Sequence, residues 1–551
     1  MYASDYLANE IRKWNFKDNI FIQLPTGAGK TTFVTETLYK NAKDNKSDLY
    51  YFCNRSILKM QVKEKICQSL YGSSASEFYE TDWLGNIRIF TYQKFEMELA
   101  QEGGKEKVYK KYFIGKKILY FVFDEFHYFV TDSSFNGKII LFVDFIKYLR
   151  DKHRLFARFL YLSATMTSAI KAYQKVMNWG QNREYIGKYS IDKMKCEYGD
   201  GFRFYYMEPT YFGDKITFFS DYKEIPSIIK KKNDDEKWLV FIENKAKFQA
   251  IRKQMEEFNI DFSYLDAAEA NSDSQTYNQI INDGCFSSRV LVATRVLDVG
   301  VSILDERLKN IVVTTADYES MVQMVGRKRR KGEEQINIYV LLHGQRYFNS
   351  ILNLKISPEL SYAEYEAVEA YYQVNTFEDE SIGYKNRMQM LQRLFYVSDD
   401  GKMKKNWLRI QYLQELRQDI LSMFQESEMK NVTVEKVFES RVCKWLCIKE
   451  RDISYCSTED KKERMKEELS ILIQKYINEK IDENKKGELS EKIKNILVKY
   501  KCDITFRKDR NLGIKKINDI FKKLELGIMV ESRRDSAHRE KSHWEVRECE
   551  K

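Results

Sequence analysis

Apolar positions along the chain follow two rhythms. Short, mostly apolar runs occur at Asn19–Leu24, Leu49–Cys53, Ile87–Thr91, Ile118–Phe123 and Phe159–Leu162, and longer stretches such as Thr31–Ala42 separate them. The short runs predict strands buried on both faces, and the longer ones predict amphipathic helices. Strand–helix alternation of this kind predicts a parallel sheet with crossover helices, here a doubly wound α/β lobe over residues 1–187. Lys188–Glu224 is less regular and mixes Gly with aromatic residues. The alternation then resumes, with strands at Trp238–Ile242, Val290–Ala293, Ile311–Thr314 and Ile336–Leu341, and helices at Ala246–Phe258 and Ser274–Asp283. A second α/β lobe over residues 188–355 is expected.

From about Ile356 the pattern is helical and charge-rich. Glu364–Tyr372, Lys385–Tyr396, Trp407–Glu426, Val434–Ile448, Glu459–Asn478 and Ser490–Lys499 read as amphipathic helices, so residues 356–551 are expected to form a helical accessory domain. Its end differs: a helix at Gly513–Leu524 precedes a basic segment and a Trp-containing strand, His543–Arg547. That order suits either a winged-helix unit that binds nucleic acid or the tail of a helical bundle.

Composition narrows the class. The 551 residues exceed one core, and 43% hydrophobic with 32% charged residues fits a globular chain rather than a disordered one. No apolar run approaches the roughly 18 residues that span a bilayer, and the N-terminus has no secretion pattern, so a cytoplasmic protein without a membrane partner is expected. The net charge of +10 favours a polyanionic partner. The 37 Tyr and 34 Phe can stack on bases, but most are expected in the core. The nine Cys lack zinc spacing and read as buried thiols.

Three stretches carry candidate chemistry. Leu24–Thr32 (LPTGAGKTT) follows a strand and opens a helix, the context of a phosphate-binding loop. Gly27 and Gly29 let the loop Pro25–Thr32, with Thr26 and Ala28, curl so that its N–H groups after Pro25 point at phosphate, and the helix N-terminus adds positive potential. Lys30 is placed for the β/γ-phosphates, and the Thr31 hydroxyl for Mg²⁺. Asp124 and Glu125 end an apolar strand, where adjacent carboxylates are costly without a role. Asp124 suits a Mg²⁺ contact and Glu125 suits positioning and deprotonating an attacking water. Gln323, Arg327 and Arg330 fall in the second lobe. If the lobes close on a nucleotide, Arg327 and Arg330 reach the γ-phosphate; otherwise Arg327–Lys331 is a solvated basic face.

With Asp124–His127 (DEFH), Ser163–Thr165 (SAT), Val292–Val301 (VATRVLDVGV) and Gln323–Arg330 (QMVGRKRR) in this order, the chain resembles the superfamily 2 helicases of the DExH type over about Asp18–Leu342. Leu24–Thr32 is similar to motif I, and the four stretches just named to motifs II, III, V and VI. Asn54–Leu58 is a weaker match to motif Ia, Thr91–Gln93 to the next nucleic-acid motif and Leu239–Asn244 to motif IV. The resemblance implies two tandem RecA-like lobes with ATP and Mg²⁺ between them and a single strand across both. Ser163 and Thr165 would couple hydrolysis to the strand, with His127 bridging motif II to the cleft. Asp298 and Gly300 would link the two sites. Arg55, Thr91, Gln93 and Thr294 would contact the strand. The chain departs from the family pattern at Leu24, in lacking an adenine-reading segment before motif I, and at Ser302, where many relatives carry Asp.

The function implied is an ATP-hydrolysing helicase or translocase on single-stranded or partly duplex nucleic acid, DNA favoured over RNA. A second expectation is a motor subunit of a restriction or defence assembly with a partner nuclease, since the lobes resemble the motors of type III restriction enzymes and CRISPR-associated helicase–nucleases. Only five His occur, with no His-Asp dyad, so a nuclease would belong to a partner.

Overall fold

The computed structural model describes residues 3–72, 81–101, 103–115, 118–131, 138–151, 156–177, 185–207, 214–232, 235–266, 275–294, 297, 302–330, 334–364, 382–398, 401–449, 452–456, 465–466, 469–470, 472–477, 479–499, 511–533 and 542–548. The chain divides into two compact units, Met1–Ser454 and Tyr455–Lys551.

Two α/β lobes make up most of the first unit. Lobe 1 is built on a nine-stranded sheet: β1 (Asn19–Gln23), β2 (Asp48–Cys53), β3 (Trp83–Leu84), β4 (Ile87–Thr91), β5 (Ile118–Asp124), β6 (Phe156–Ser163), β7 (Tyr185–Ile191), β8 (Met194–Gly199) and β9 (Phe202–Tyr206). Their order is β3-β4-β2-β5-β6-β1-β9-β8-β7, parallel from β4 to β9 and antiparallel at both edges. The period-2 alternation of a strand divides each apolar run between two faces. Phe21, Phe121, Phe123, Phe159 and Tyr161 enter one core, while Ile20, Ile22, Tyr120, Val122, Leu160 and Leu162 enter the other. The first face is an aromatic ladder, with Phe21–Tyr161 and Phe123–Tyr161 stacked at 4.9 Å. Many of the chain's aromatics are therefore core, as expected.

Lobe 2 carries β10 (Lys215–Phe219), β11 (Lys237–Phe241), β12 (Phe262–Leu265), β13 (Val290–Ala293), β14 (Leu308–Val313) and β15 (Asn337–Leu341). These lie in the order β12-β13-β11-β14-β15-β10, all parallel, with a short edge strand Ile453–Tyr455 closing the sheet. The α/β class with tandem RecA-like lobes is thus present.

Two boundaries differ from those expected. Lobe 1 does not end at residue 187. The irregular stretch supplies β7–β9, and β9 pairs in parallel with β1 from Asn19↔Phe202 to Gln23↔Tyr206. The β7–β8 hairpin is half exposed, so it lacks the apolar run that marks a buried strand. Nor does residue 356 begin a separate domain. The helix Trp407–Lys430 places Ile410, Leu413, Ile420 and Met423 in the lobe 2 core and Leu408 in a lobe 1 core. Its Lys171–Glu415 pair, at 2.6 Å, ties it to lobe 1 as well. Periodicity reveals an apolar face but not which surface covers it.

The second unit has its own core, including Leu489, Ile493, Ile517, Phe521, Val530 and Val546. Helices Glu483–Lys499 and Ile514–Lys523 precede an antiparallel hairpin of Ile528–Arg533 and His543–Glu548. The Asn518 amide donates to Val530 O (2.9 Å) and accepts from Val530 N (2.7 Å), fastening helix to hairpin. The helix expected at Glu364–Tyr372 lies almost wholly outside the described residues, and that at Glu459–Asn478 half so. Among the described residues no helix is long and apolar enough to cross a membrane.

Candidate functional site between the two lobes

Strand register assembles the site. Gln23 at the end of β1 lies opposite Ser163 at the end of β6, and Leu162 lies opposite Asp124 at the end of β5. Three segments far apart in sequence therefore emerge side by side from the C-terminal edge of one parallel sheet, where such sheets bind ligands. Leu24 N donates to Ser163 O (3.1 Å) and Phe126 N to Leu162 O (2.9 Å), which fixes their heights.

The loop after β1 turns through Gly27 (φ 85°) and Gly29 (φ 82°), a left-handed backbone that other residues reach only with strain. Lys30 folds back, its Nζ donating to Leu24 O (2.8 Å) and Pro25 O (3.2 Å). Burial lowers the Lys30 pKa, opposed by the carboxylates of Glu125 and Asp124. Thr26 stands against lobe 2: a Cβ built on Gly326 would lie 2.2 Å from Thr26 Oγ1, so the lobes touch here and only Gly fits. Ala28 O accepts from Ala3 N (2.8 Å), and Thr31 O accepts from Thr35 Oγ1 (3.0 Å). The Thr32 hydroxyl accepts from Lys65 Nζ at 3.4 Å.

Asp124 is buried. Its carboxylate accepts from the Tyr51 hydroxyl and from Glu125 N (3.0 Å), and burial together with the neighbouring Glu125 charge pushes its pKa up to about 6. Glu125 has φ 54°, and its Oε2 is buried without a hydrogen-bond partner among the described residues. A strained residue holding an unsatisfied carboxylate oxygen is the kind of feature that clusters at functional sites. Oε2 lies 3.4 Å from His127 Nδ1. Burial lowers the His127 pKa, so the ring is neutral at pH 7. Its Nδ1 meets Ser163 Oγ at 2.9 Å and its Nε2 meets Gln323 Nε2 at 2.8 Å. Gln323 Oε1 in turn accepts from an Arg327 guanidinium nitrogen at 3.4 Å, which directs the amide N–H₂ to His127. Glu125, His127 and Ser163 of lobe 1 are thus chained to Gln323 and Arg327 of lobe 2. Thr165 is fully buried, its N–H donating to Ser163 Oγ (3.2 Å) and its own hydroxyl unpartnered among the described residues.

Arg330 does not join this group. It pairs with buried Asp214 at 2.6 Å. Its neighbour Arg329 points at the phosphate loop instead: a Cβ built on Gly27 would lie 2.9 Å from an Arg329 guanidinium nitrogen. The i, i+3 spacing of Arg327 and Arg330 would align them on a helix, but the helix Tyr318–Val325 has ended. After a turn at Gly326–Arg327 the chain bridges Ile303 at Lys328, with Ile303 N donating to Arg327 O (2.8 Å) and Arg329 N to Ile303 O (2.9 Å). The signal available in the sequence was Gly326, a helix stop.

The residues expected on the strand track are mixed. Arg55 is exposed at the start of the helix Ser56–Tyr71. The Thr91 hydroxyl caps the helix Tyr92–Leu99 by accepting from Lys94 N (3.3 Å). Gln93 donates to Asn54 O (3.0 Å) and Tyr128 Oη (2.6 Å), which engages both its amide hydrogens inside lobe 1. Thr294 follows β13, its N–H donating to Leu265 O at 3.1 Å. Asp298 and Gly300 lie outside the described residues.

The donor set fits a nucleoside triphosphate with a divalent cation. A glycine cradle, a lysine and two arginines converge opposite a buried carboxylate pair, and the unsatisfied Glu125 Oε2 is placed for a water. Among the described residues no cluster of three or more His, Cys, Asp or Glu side chains forms a metal site. Mg²⁺ suits such a place, because it takes one or two protein ligands and fills its shell with phosphate oxygens and water.

Residues 1–168 match the family model described as "Type III restriction enzyme, res subunit", and residues 220–332 match "Helicase conserved C-terminal domain". Among solved structures the chain is similar to S. cerevisiae Dbp5 bound to RNA and ADP BeF3, at 14% identity and TM-score 0.38, over 61% of this chain and 82% of that one. It is also similar to the Escherichia coli DEAH/RHA helicase HrpB, at 14% identity and TM-score 0.38, over 63% and 43% of the two chains. The DUF1998 helicase MrfA bound to DNA gives 16% identity and TM-score 0.40 over 75% and 55%. No significant match exists among curated proteins.

Proposed function

The chain belongs to the superfamily 2 helicases of the DExH type, and from that premise we propose that it hydrolyses ATP in the cleft between its lobes to move along a single strand of nucleic acid. The observation that carries this reading is the chain of contacts from Glu125 through His127 and Gln323 to Arg327, which joins the two lobes at the phosphate loop.

The residues divide the work as follows. The loop N–H groups and Lys30 hold phosphate oxygens, and Thr31 with Asp124 hold the cation. Mg²⁺, when bound, neutralises charge on the phosphates. Glu125 Oε2, which accepts no hydrogen bond among the described residues, accepts a proton from the attacking water. Arg327 stabilises charge developing on the transferred phosphoryl. Loss of the terminal phosphate removes what draws the lobe 2 arginines in, and the His127–Gln323 contact carries that change between lobes. The strand binds mainly through its phosphates, with single-stranded DNA favoured over RNA, so affinity falls steeply with salt.

The test is steady-state ATP hydrolysis without polymer and with single-stranded DNA, single-stranded RNA or duplex, at two salt concentrations. Stimulation by one polymer, absent in Glu125→Gln and in Lys30→Ala, is expected and identifies the track. Equal rates in wild type and Glu125→Gln would refute the assignment of Glu125. A second reading, a motor that serves a partner nuclease, is favoured by the match of residues 1–168 to the restriction-subunit model. It predicts weak stimulation by every polymer until a copurifying nuclease is added back.

A further inference from the structure

We infer that Arg329, rather than Arg330, is the second arginine that meets the terminal phosphate of the nucleotide across the cleft, and that Ser302 orients it. The inference rests on the reading of this cleft as an ATP site.

The backbone decides which side chains face the loop. Arg327 still belongs to the turn that ends the helix, its N–H donating to Met324 O (3.2 Å), and at Lys328 the segment bridges Ile303, which contacts both Arg327 O and Arg329 N. In extended backbone, alternate side chains share a face. Arg329 therefore faces away from Lys328 and overlooks Gly27, while the Arg327 guanidinium is held in the cleft by Gln323. The partners agree with this geometry. Lys328 Nζ donates to Asp305 O (2.9 Å) and pairs with Glu334 (3.1 Å). Arg330 pairs with Asp214, which also accepts from Ile336 N (3.1 Å), so that pair pins the approach to β10 against the approach to β15.

Two observations show that Arg329 is suited to an anion. One of its guanidinium nitrogens is closed from solvent without a hydrogen-bond partner among the described residues, and the same nitrogen overlooks Gly27 of the phosphate loop. A buried guanidinium N–H is costly without an acceptor, and a phosphate oxygen over the loop supplies one. Arg329 Nε donates to Ser302 Oγ at 2.8 Å. A carboxylate at this position would hold the guanidinium in an ion pair. The neutral hydroxyl orients it while leaving its charge for the ligand.

The experiment measures dissociation constants for fluorescently labelled ADP and a labelled non-hydrolysable ATP analogue, each with Mg²⁺. It compares wild type, Arg329→Ala, Ser302→Asp and the double variant Asp214→Asn/Arg330→Gln, which removes that pair without stranding a charge. Arg329→Ala is expected to weaken the ATP analogue about 10- to 100-fold, the range of a charge-assisted hydrogen bond, and to leave ADP within about twofold. Ser302→Asp, which keeps Arg329 but gives it a competing anion, is expected to weaken the analogue in the same selective way, and it tests the inference if Arg329→Ala does not fold. The double variant is expected to keep the wild-type ratio of the two affinities. Selective loss of the analogue in the double variant instead, or equal loss of both nucleotides in Arg329→Ala, would overturn the inference. Wild type that binds neither nucleotide would remove the ATP reading itself.

Discussion

Glu125 shows what one residue contributes at this site. Its left-handed backbone costs about 1 kcal/mol for a side chain with a Cβ, and its buried oxygen adds the penalty of an unsatisfied acceptor. Both are the opposite of what stability alone would select. Glu125→Gly is therefore expected to raise the thermal midpoint, by up to about 1 kcal/mol of stability, while abolishing turnover. Calorimetry beside an ATPase assay checks both halves, and a destabilised variant would show that this conformation is not strained. The arginines give the complementary lesson. Residue types alone cannot rank Arg327, Arg329 and Arg330, because each is an equally good phosphate ligand. The end of the helix at Val325 decides which of them face the loop.

At the scale of elements, the helix Trp407–Lys430 is the main departure from the expected organisation. It lies in the expected place in the sequence, but it packs across both lobes rather than within a separate domain. Its N-terminal turn is anchored by Arg409, which makes two hydrogen bonds to the Glu359 carboxylate (2.7 and 2.8 Å) with both residues buried. Removing one partner of such a pair strands a charge. Glu359→Ala is expected to cost roughly 3–5 kcal/mol, and chemical denaturation measures it. A loss below about 1 kcal/mol would mean that Arg409 finds water or another partner. The β7–β9 strands were equally hard to read from sequence, since a half-exposed antiparallel hairpin has neither the continuous apolar run of a buried strand nor a helical period.

Across the first unit as a whole, the two lobes meet through groups whose protonation matters. Ser168 of lobe 1 donates to the Glu319 carboxyl of lobe 2, and burial, with Asp317 nearby, pushes the Glu319 pKa up from 4.5 to about 8. A raised folded-state pKa favours the protonated form in the native protein. The stability it provides is full below pH 4.5 and is lost as pH rises towards about 8, by at most roughly 1.4 kcal/mol per pH unit. Glu319→Gln keeps a neutral, hydrogen-bonding side chain and is expected to flatten that slope. Denaturation of both proteins from pH 5 to 9 tests it; parallel curves would show that Glu319 is ionised in the native state throughout.

The sequence by itself determined that two α/β lobes are present and which local segments carry the candidate chemistry. Buried parallel strands write themselves as continuous apolar runs, and a phosphate loop needs glycines and a lysine in consecutive positions, so both are local. That Asp124, Ser163 and the loop share one edge comes from the β1–β6–β5 register. Tertiary structure alone decided where lobe 1 ends, which cores claim the helix Trp407–Lys430, and which arginines face the cleft. Each of those depends on what covers a surface or where a backbone changes from helical to extended. Such facts arise from pairing between distant segments, as Ile303 does with Arg327–Arg329, and no local pattern records them.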